Sequence, residues 1–413
     1  MEAMEERGID GVVLRLNANV YYLSGFAPSG LNGSLFEQDE SYGVVFASRH
    51  HPDHPIALVP LLNLGYFLYR PTWIEDIRSF NTRGGWGATM PLNDDGDSNQ
   101  SEKDFRRYVP RDARTTPWGM RALKQHTPDF FEACRRAMRD LGMDRGTIGF
   151  DDLRFAGALA PASAKTVDAL SFMRYVREIK TDEEVALIRR SIAINQAGIE
   201  GAVGAWQAGM TWNDIVHVYH RGVLDRGGFV RDHGASVINN DPTGEALYCG
   251  LSEDFLLVGG TNVLFDFHGT ANHYCWDGGK TWVIGDGMEP EAFRIHKACV
   301  QVKDWLKDSM RPGANLADLQ SKSLDMLRKS DLRGRENAFI TFHGMGLSHV
   351  EQAGRFGSKP VDRKLESGMV EAIHIWYPGD VRHRVYIEDV MVIGERGGDS
   401  LYEWSFEPLV SSA

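Results

Sequence analysis

The chain has 413 residues, 42% of them hydrophobic and 25% charged, with a formal net charge of -12. That is enough apolar material for two domain cores, and an acidic balance with no basic stripe argues against nucleic acid and acidic membrane surfaces as partners. No apolar run approaches the roughly 18 residues of a membrane span. The acidic start MEAMEERGID lacks a signal peptide's apolar core. Cys134, Cys249, Cys275 and Cys299 are scattered without CxxC spacing. A reduced, cytoplasmic protein with neither zinc knuckle nor disulfide frame is therefore expected.

In chain order, GVVLRLNANVYYLSG (11–25) reads as a strand, a polar turn and a second strand. YGVVFAS and PIALVPLL continue the β pattern, and DFFEACRRAMRDLG (129–142) has the apolar spacing of an amphipathic helix. The segment 81–104 is rich in Gly, Asp, Asn and Ser. A loop of that length suits a lid over a site as well as a plain surface loop. Near 170–181 lies a linker, and Thr181 and Glu184 then stand in capping-box spacing before a helical run. Two domains are expected, 1–170 and 176–413.

The second domain carries a weak internal repeat. QAGMTWNDI (207–215) and RPGANLADL (311–319) each read as a turn followed by a capped helix start. After each comes an apolar strand with one polar intruder, Asp266 in VLFDF and His374 in VEAIHIW. Asp277 and Glu388 then each precede a VIG. The repeat pairs Asp266 with His374 and Asp277 with Glu388, and two symmetric halves would bring all four toward one axis. His343 lies in the Gly-rich stretch TFHGMG. Buried carboxylates are costly unless a cation or strong donors compensate them. Two Asp, one Glu and two His on apolar strands make a plausible ligand set for one or two divalent metals.

The order Asp266, Asp277, HGMG at His343, GMV at 368–370 and IED at 387–389 resembles the creatinase/prolidase/methionine aminopeptidase family. NVYYLSGF (19–26) is similar to its creatinase-type N-terminal domain, and REIKTDEEVALIRRS to its linking helix. The resemblance implies an α/β (α+β) architecture, with a creatinase-like first domain and a pita-bread second domain of pseudo-two-fold symmetry. It also implies a metal centre of Asp266, Asp277, His343, His374 and Glu388, and a homodimer in which 81–104 covers a site. The cofactor would be one or two ions of Zn, Mn, Fe or Co.

Several positions depart from that family's pattern. His374 stands where the family has Glu, Cys249 and Tyr386 replace a substrate-handling His and Arg, and Val350 replaces a His with His349 one place earlier. These changes argue against Xaa-Pro cleavage. They point to a metal-dependent hydrolase acting on a C–N or related bond of a small, non-peptide molecule. His349 or Glu351 would move the proton, and His233, Tyr248, His268, Trp376 and Tyr386 would line the substrate pocket, with Trp276 and Tyr377 as further aromatic candidates. One alternative is a lyase with His349 as base, since the dimethylsulfoniopropionate lyase branch has an acid there as base. The others are an Xaa-Pro dipeptidase or aminopeptidase, and a metal-free protein.

Overall fold

The structure is a computed structural model that describes residues 1–27, 40–81, 109–239, 246–249, 254–285, 287–351, 363–379 and 383–411. The expected lid at 81–104 therefore lies, beyond Asn81, outside the described residues. The chain divides into two compact units, with the change at Val176/Arg177. Among the described residues no helix is long and apolar enough to cross a membrane.

The first unit is built on six strands: β1 (Gly11–Leu16), β2 (Glu40–Ser48), β3 (His51–Pro60), β4 (Asp76–Phe80), β5 (Gly146–Phe150) and β6 (Ala164–Asp168). Their order is β4-β3-β2-β1-β5-β6. β1 sits in the middle, antiparallel to β2 and parallel to β5. Its run GVVLRL is nearly all apolar because both faces are covered. Val12 and Leu14 enter one core cluster, Val13 the other.

The second strand expected after β1 is a helix instead, Asn17–Ser24. Its β-branched and aromatic residues suit a strand as well, but tertiary contacts decide. Asn19 donates to Asp151, which also accepts from the backbone N–H of Arg15 and Leu16. Gly25, at φ 69°, ends the helix in the left-handed conformation that a C-terminal stop favours.

In the second unit the long helix Asp182–Ala205 opens on the expected capping box of Thr181 and Glu184. The repeat is visible as two helix pairs. Asp182–Ala205 packs on Trp212–Leu224, and Pro290–Ser309 on Leu316–Arg328. The two shorter helices are capped by Thr211 and Asn315.

Each pair accompanies a sheet. The first contains β7 (Gly228–Asn239), β8 (Ala246–Cys249), β9 (Asn262–Ala271), β10 (Tyr274–Trp276) and β11 (Thr281–Ile284). The second is the antiparallel β12 (Phe339–Gly344), β13 (Val370–Tyr377), β14 (Val385–Gly394) and β15 (Gly397–Ser400). The C-terminal β16 (Leu409–Ser411) joins the first sheet beside β11. A bridge between Lys280 and Ile387 joins the two sheets. Beside it, Thr281 Oγ1 both donates to the carbonyl of Tyr386 and accepts from its N–H. Gly279 permits the crossing, since a Cβ there would meet the carbonyl oxygen of Phe265 at 2.3 Å.

Candidate metal centre

The polar intruders in apolar strands are explained by alternation. On β9, Phe265 and Phe267 point to a core of Trp212, Tyr219 and Trp282. Asp266 and His268 take the opposite face. In the second sheet, His374 pairs across with Glu388 on one side and Thr341 on the other, while His343 pairs with Ala372. His343, His374, Trp376, Tyr386 and Glu388 therefore share a face. Asp277 lies between β10 and β11, where the sheets meet, and is fully buried. Its symmetry mate Glu388 instead sits within β14, so the repeat is inexact at this point.

These faces converge on Asp277. Its Oδ1 is 3.1 Å from His268 Nε2, and its Oδ2 is 3.1 Å from His343 Nε2, 3.3 Å from His349 Nε2 and 3.9 Å from His374 Nε2. His374 Nε2 is 3.4 Å from Glu388 Oε1. Three overlapping donor groups result, each with its ligand atoms within 4.8 Å of one another: His268–Asp277–His349, Asp277–His343–His374 and Asp266–His374–Glu388. Ligands bonded at about 2.0–2.1 Å to one tetrahedral cation lie roughly 3.3 Å apart, so these spacings suit donors sharing a cation. All five ligands expected from the sequence come together.

The protonation pattern also fits a cation. His343 Nδ1 contacts the carbonyl of Gly344 at 3.2 Å, so in the neutral ring it donates there and Nε2 holds the lone pair. Tyr386 donates its hydroxyl to Glu388 Oε2 at 2.6 Å. With that proton spent, it accepts from His374 Nδ1 at 2.8 Å, which leaves the lone pair on His374 Nε2. The two Nε2 atoms face each other at 3.0 Å. Two lone pairs at that distance require a positive charge, either a proton held by one ring or a cation between them.

The electrostatics agree. Burial, then the neighbouring Asp277 and Asp266, push the Glu388 carboxyl well above its usual range. Burial opposes ionisation of Asp277 too, but the surrounding His349, His268 and His343 hold it well below the usual carboxylate range. Burial is the largest influence lowering both His349 and His374 to about 4, and repulsion from His268 and His343 adds to it. A cation would let Glu388 ionise beside Asp277.

Three expected roles are corrected. Tyr386 is no substrate contact, because its hydroxyl is fully buried and engaged by His374 and Glu388. His268 is already engaged at both ring nitrogens. Its Nδ1 bonds Asp232, and its Nε2 lies 3.0 Å from Asp266 Oδ1 and 3.1 Å from Asp277. Glu351 is not a free base either, for its two oxygens pair with Arg177 Nε and Lys180 Nζ, each at 2.7 Å in a fully buried setting.

Glu351 instead fastens the loop that follows β12 and carries His349, where its N–H also bonds the carbonyl of Gly344. Trp376 is half-buried against Tyr386, whereas Trp276 and Tyr377 are core. The side chains of His233, Tyr248 and Cys249 lie outside the described residues. Sequence reading missed Arg177, Lys180 and Asp232. For the first two, the charge pattern of REIK was a usable signal. Asp232 is revealed only by its register opposite His268.

Fold and site together define a two-unit α/β chain whose second unit holds a carboxylate–imidazole centre suited to divalent metal. The model of metallopeptidase family M24 matches residues 186–395, and the chain belongs to that family, whose name denotes metal-dependent hydrolases. An X-Pro aminopeptidase from Thermotoga maritima has a similar structure over 100% of both chains, with a TM-score of 0.70 at 18% identity. An Xaa-Pro dipeptidase from Bacillus anthracis gives 0.68 at 16% identity, covering 99% of this chain and 97% of that one. Dipeptidase PepE from Mycobacterium ulcerans gives 0.67 at 19%, covering 100% and 95%. These likenesses establish the pita-bread fold expected from the sequence. Uncharacterized peptidases of Staphylococcus aureus are 25% identical over 225 residues, which spans 54% of this chain and 62% of theirs.

Proposed function

We propose that this chain is a metal-dependent hydrolase acting on a C–N or related bond of a small, non-peptide molecule. The observation that carries the reading is the convergence of His343, His374 and Glu388 on Asp277, with Tyr386 fixing the ring of His374 so that its lone pair points inward. Asp266, Asp277, His343, His374 and Glu388 would hold one or two cations of the borderline class, such as Zn, Fe or Co. A divalent cation, when bound, supplies Lewis acidity and makes water a usable nucleophile near neutral pH.

The chain's own residues do the rest. The buried carboxylates balance the positive charge and fix its position. His349 takes the proton at Nε2, the nitrogen that faces Asp277 at 3.3 Å. Its Nδ1 has no hydrogen-bond partner among the described residues. Unlike the rings of His343 and His374, it is therefore not committed to one tautomer and is suited to carrying a proton. The half-buried Trp376 offers an aromatic wall beside the centre.

The non-peptide assignment is supported by Tyr386, which occupies the family's arginine position with its polar group already engaged. A site missing buried polar partners for a peptide forfeits several orders of magnitude in kcat/KM. The test is a kinetic comparison of metal-loaded protein on Xaa-Pro dipeptides and on non-peptide amides, with chelator controls. Turnover of amides with dipeptide kcat/KM well below about 10⁴ M⁻¹s⁻¹ is expected, and efficient dipeptide cleavage would return the chain to ordinary proline peptidases. Product that gains no oxygen from labelled water would favour elimination by His349 instead.

A further inference from the structure

The His268 ring does not belong to the ligand pattern expected for this family, yet both of its nitrogens face carboxylate oxygens. It sits on β9 two residues after Asp266, and its register partner on β7 is Asp232, just past a bulge at Arg231. Asp232 takes Nδ1, so in the neutral ring the proton lies on that side and the lone pair is on Nε2. That lone pair is aimed between two carboxylate oxygens, Asp266 Oδ1 at 3.0 Å and Asp277 Oδ1 at 3.1 Å.

Nitrogen and oxygen atoms at these distances require something positive between them, either a proton on Nε2 or a cation in that proton's place. Two carboxylate oxygens at 3.0 and 3.1 Å from one imidazole nitrogen have the spacing of neighbouring ligands on one cation bonded at about 2.1 Å. The arrangement of carboxylate, imidazole and inward-facing Nε2 is also the usual support for a metal-binding histidine, in which an outer acceptor fixes the tautomer and raises ring basicity. His343 and His374 follow the same plan, each with Nδ1 on an oxygen and Nε2 turned inward. The His349 ring meets His268 edge-on, with centroids 4.3 Å apart, but lacks such an anchor among the described residues.

We propose that His268, oriented by Asp232, is a metal ligand through Nε2, sharing a divalent cation with Asp266 and Asp277. The inference rests on the metal-centre reading above. It adds a third imidazole to the centre and gives the cation on the Asp266 side a mixed nitrogen–oxygen set. Such a set favours zinc or cobalt over magnesium or calcium.

The test uses full-length protein loaded with Co(II), read by metal content, by titration of affinity and by the visible d–d spectrum rather than by turnover. Wild type should hold Co(II) with a spectrum that changes in His268→Ala, together with loss of one equivalent of metal or at least a 100-fold weaker Kd. Asp232→Asn should keep the stoichiometry and weaken Kd by about 10–100-fold, as loss of an outer-shell partner does. Circular dichroism and thermal melting confirm that each variant is folded. Should His268→Ala fail to fold, the milder Asp232→Asn still decides, because a merely structural carboxylate would not move the Co(II) spectrum or affinity. Wild type that binds Co(II) while His268→Ala and Asp232→Asn match it in content, affinity and spectrum overturns this inference alone. Wild type that binds no Co(II) overturns the metal-centre reading with it.

Discussion

The two sheets of the second unit contribute to the centre in opposite styles. The first sheet brings Asp266, His268 and Asp232, whose side chains are 23%, 15% and 47% exposed. The second brings His343, His374, Glu388 and Tyr386, all buried. One side is reachable from water and the other is dry and locked. Access from water then belongs to the first side, and fixed geometry to the second. Asp277 stands where they meet.

Breaking the meeting point should have the largest effect. Asp277→Asn removes a charge that serves both sides, so bound metal and activity should both be lost, as measured by elemental analysis and by turnover. Retention of full metal would mean that the two sides are independent sites. Next, His349→Gln should cut kcat by about 10²–10⁴ while metal content stays at the wild-type level. A parallel loss of metal would make His349 a ligand rather than a proton carrier.

The locked side can be loosened from behind. Lys180→Met leaves Glu351 with one of its two buried cations, and breaking a buried pair costs about 3–5 kcal/mol. Urea denaturation should show a loss of that order. Lys180→Met combined with Glu351→Leu should recover part of it, because no uncompensated carboxylate remains. The smallest effect is expected for Tyr386→Phe, which keeps the packing but frees the His374 tautomer. Metal affinity should fall about 10–100-fold, or about 1.4–3 kcal/mol, with the fold intact. An unchanged affinity would show that burial alone orients His374.

The same contrast explains what the sequence made legible. Asp266, Asp277, His374 and Glu388 stood out because each interrupts or follows an apolar strand, where a polar residue needs a reason. The capping boxes at Thr181 and Thr211 were local signals as well, although only the first was read as such. The partners of those residues were not legible. Tyr386 acts through a cross-strand diagonal to His374, Asp232 through register with His268, and Glu351 through Arg177 and Lys180 far away in the chain. None of these follows from spacing along one segment. The helix Asn17–Ser24 was hidden for a related reason, since contacts of Asn19 with Asp151 override a composition that also suits a strand.

The most direct test of the central claim is a crystal structure of the zinc-loaded protein with anomalous data collected at the zinc edge. The account predicts an anomalous peak about 2.0–2.2 Å from ligand atoms of Asp277, His343 and His374, with Glu388 at the same centre. A folded protein with no peak there, or with zinc bound only at other residues, would contradict it.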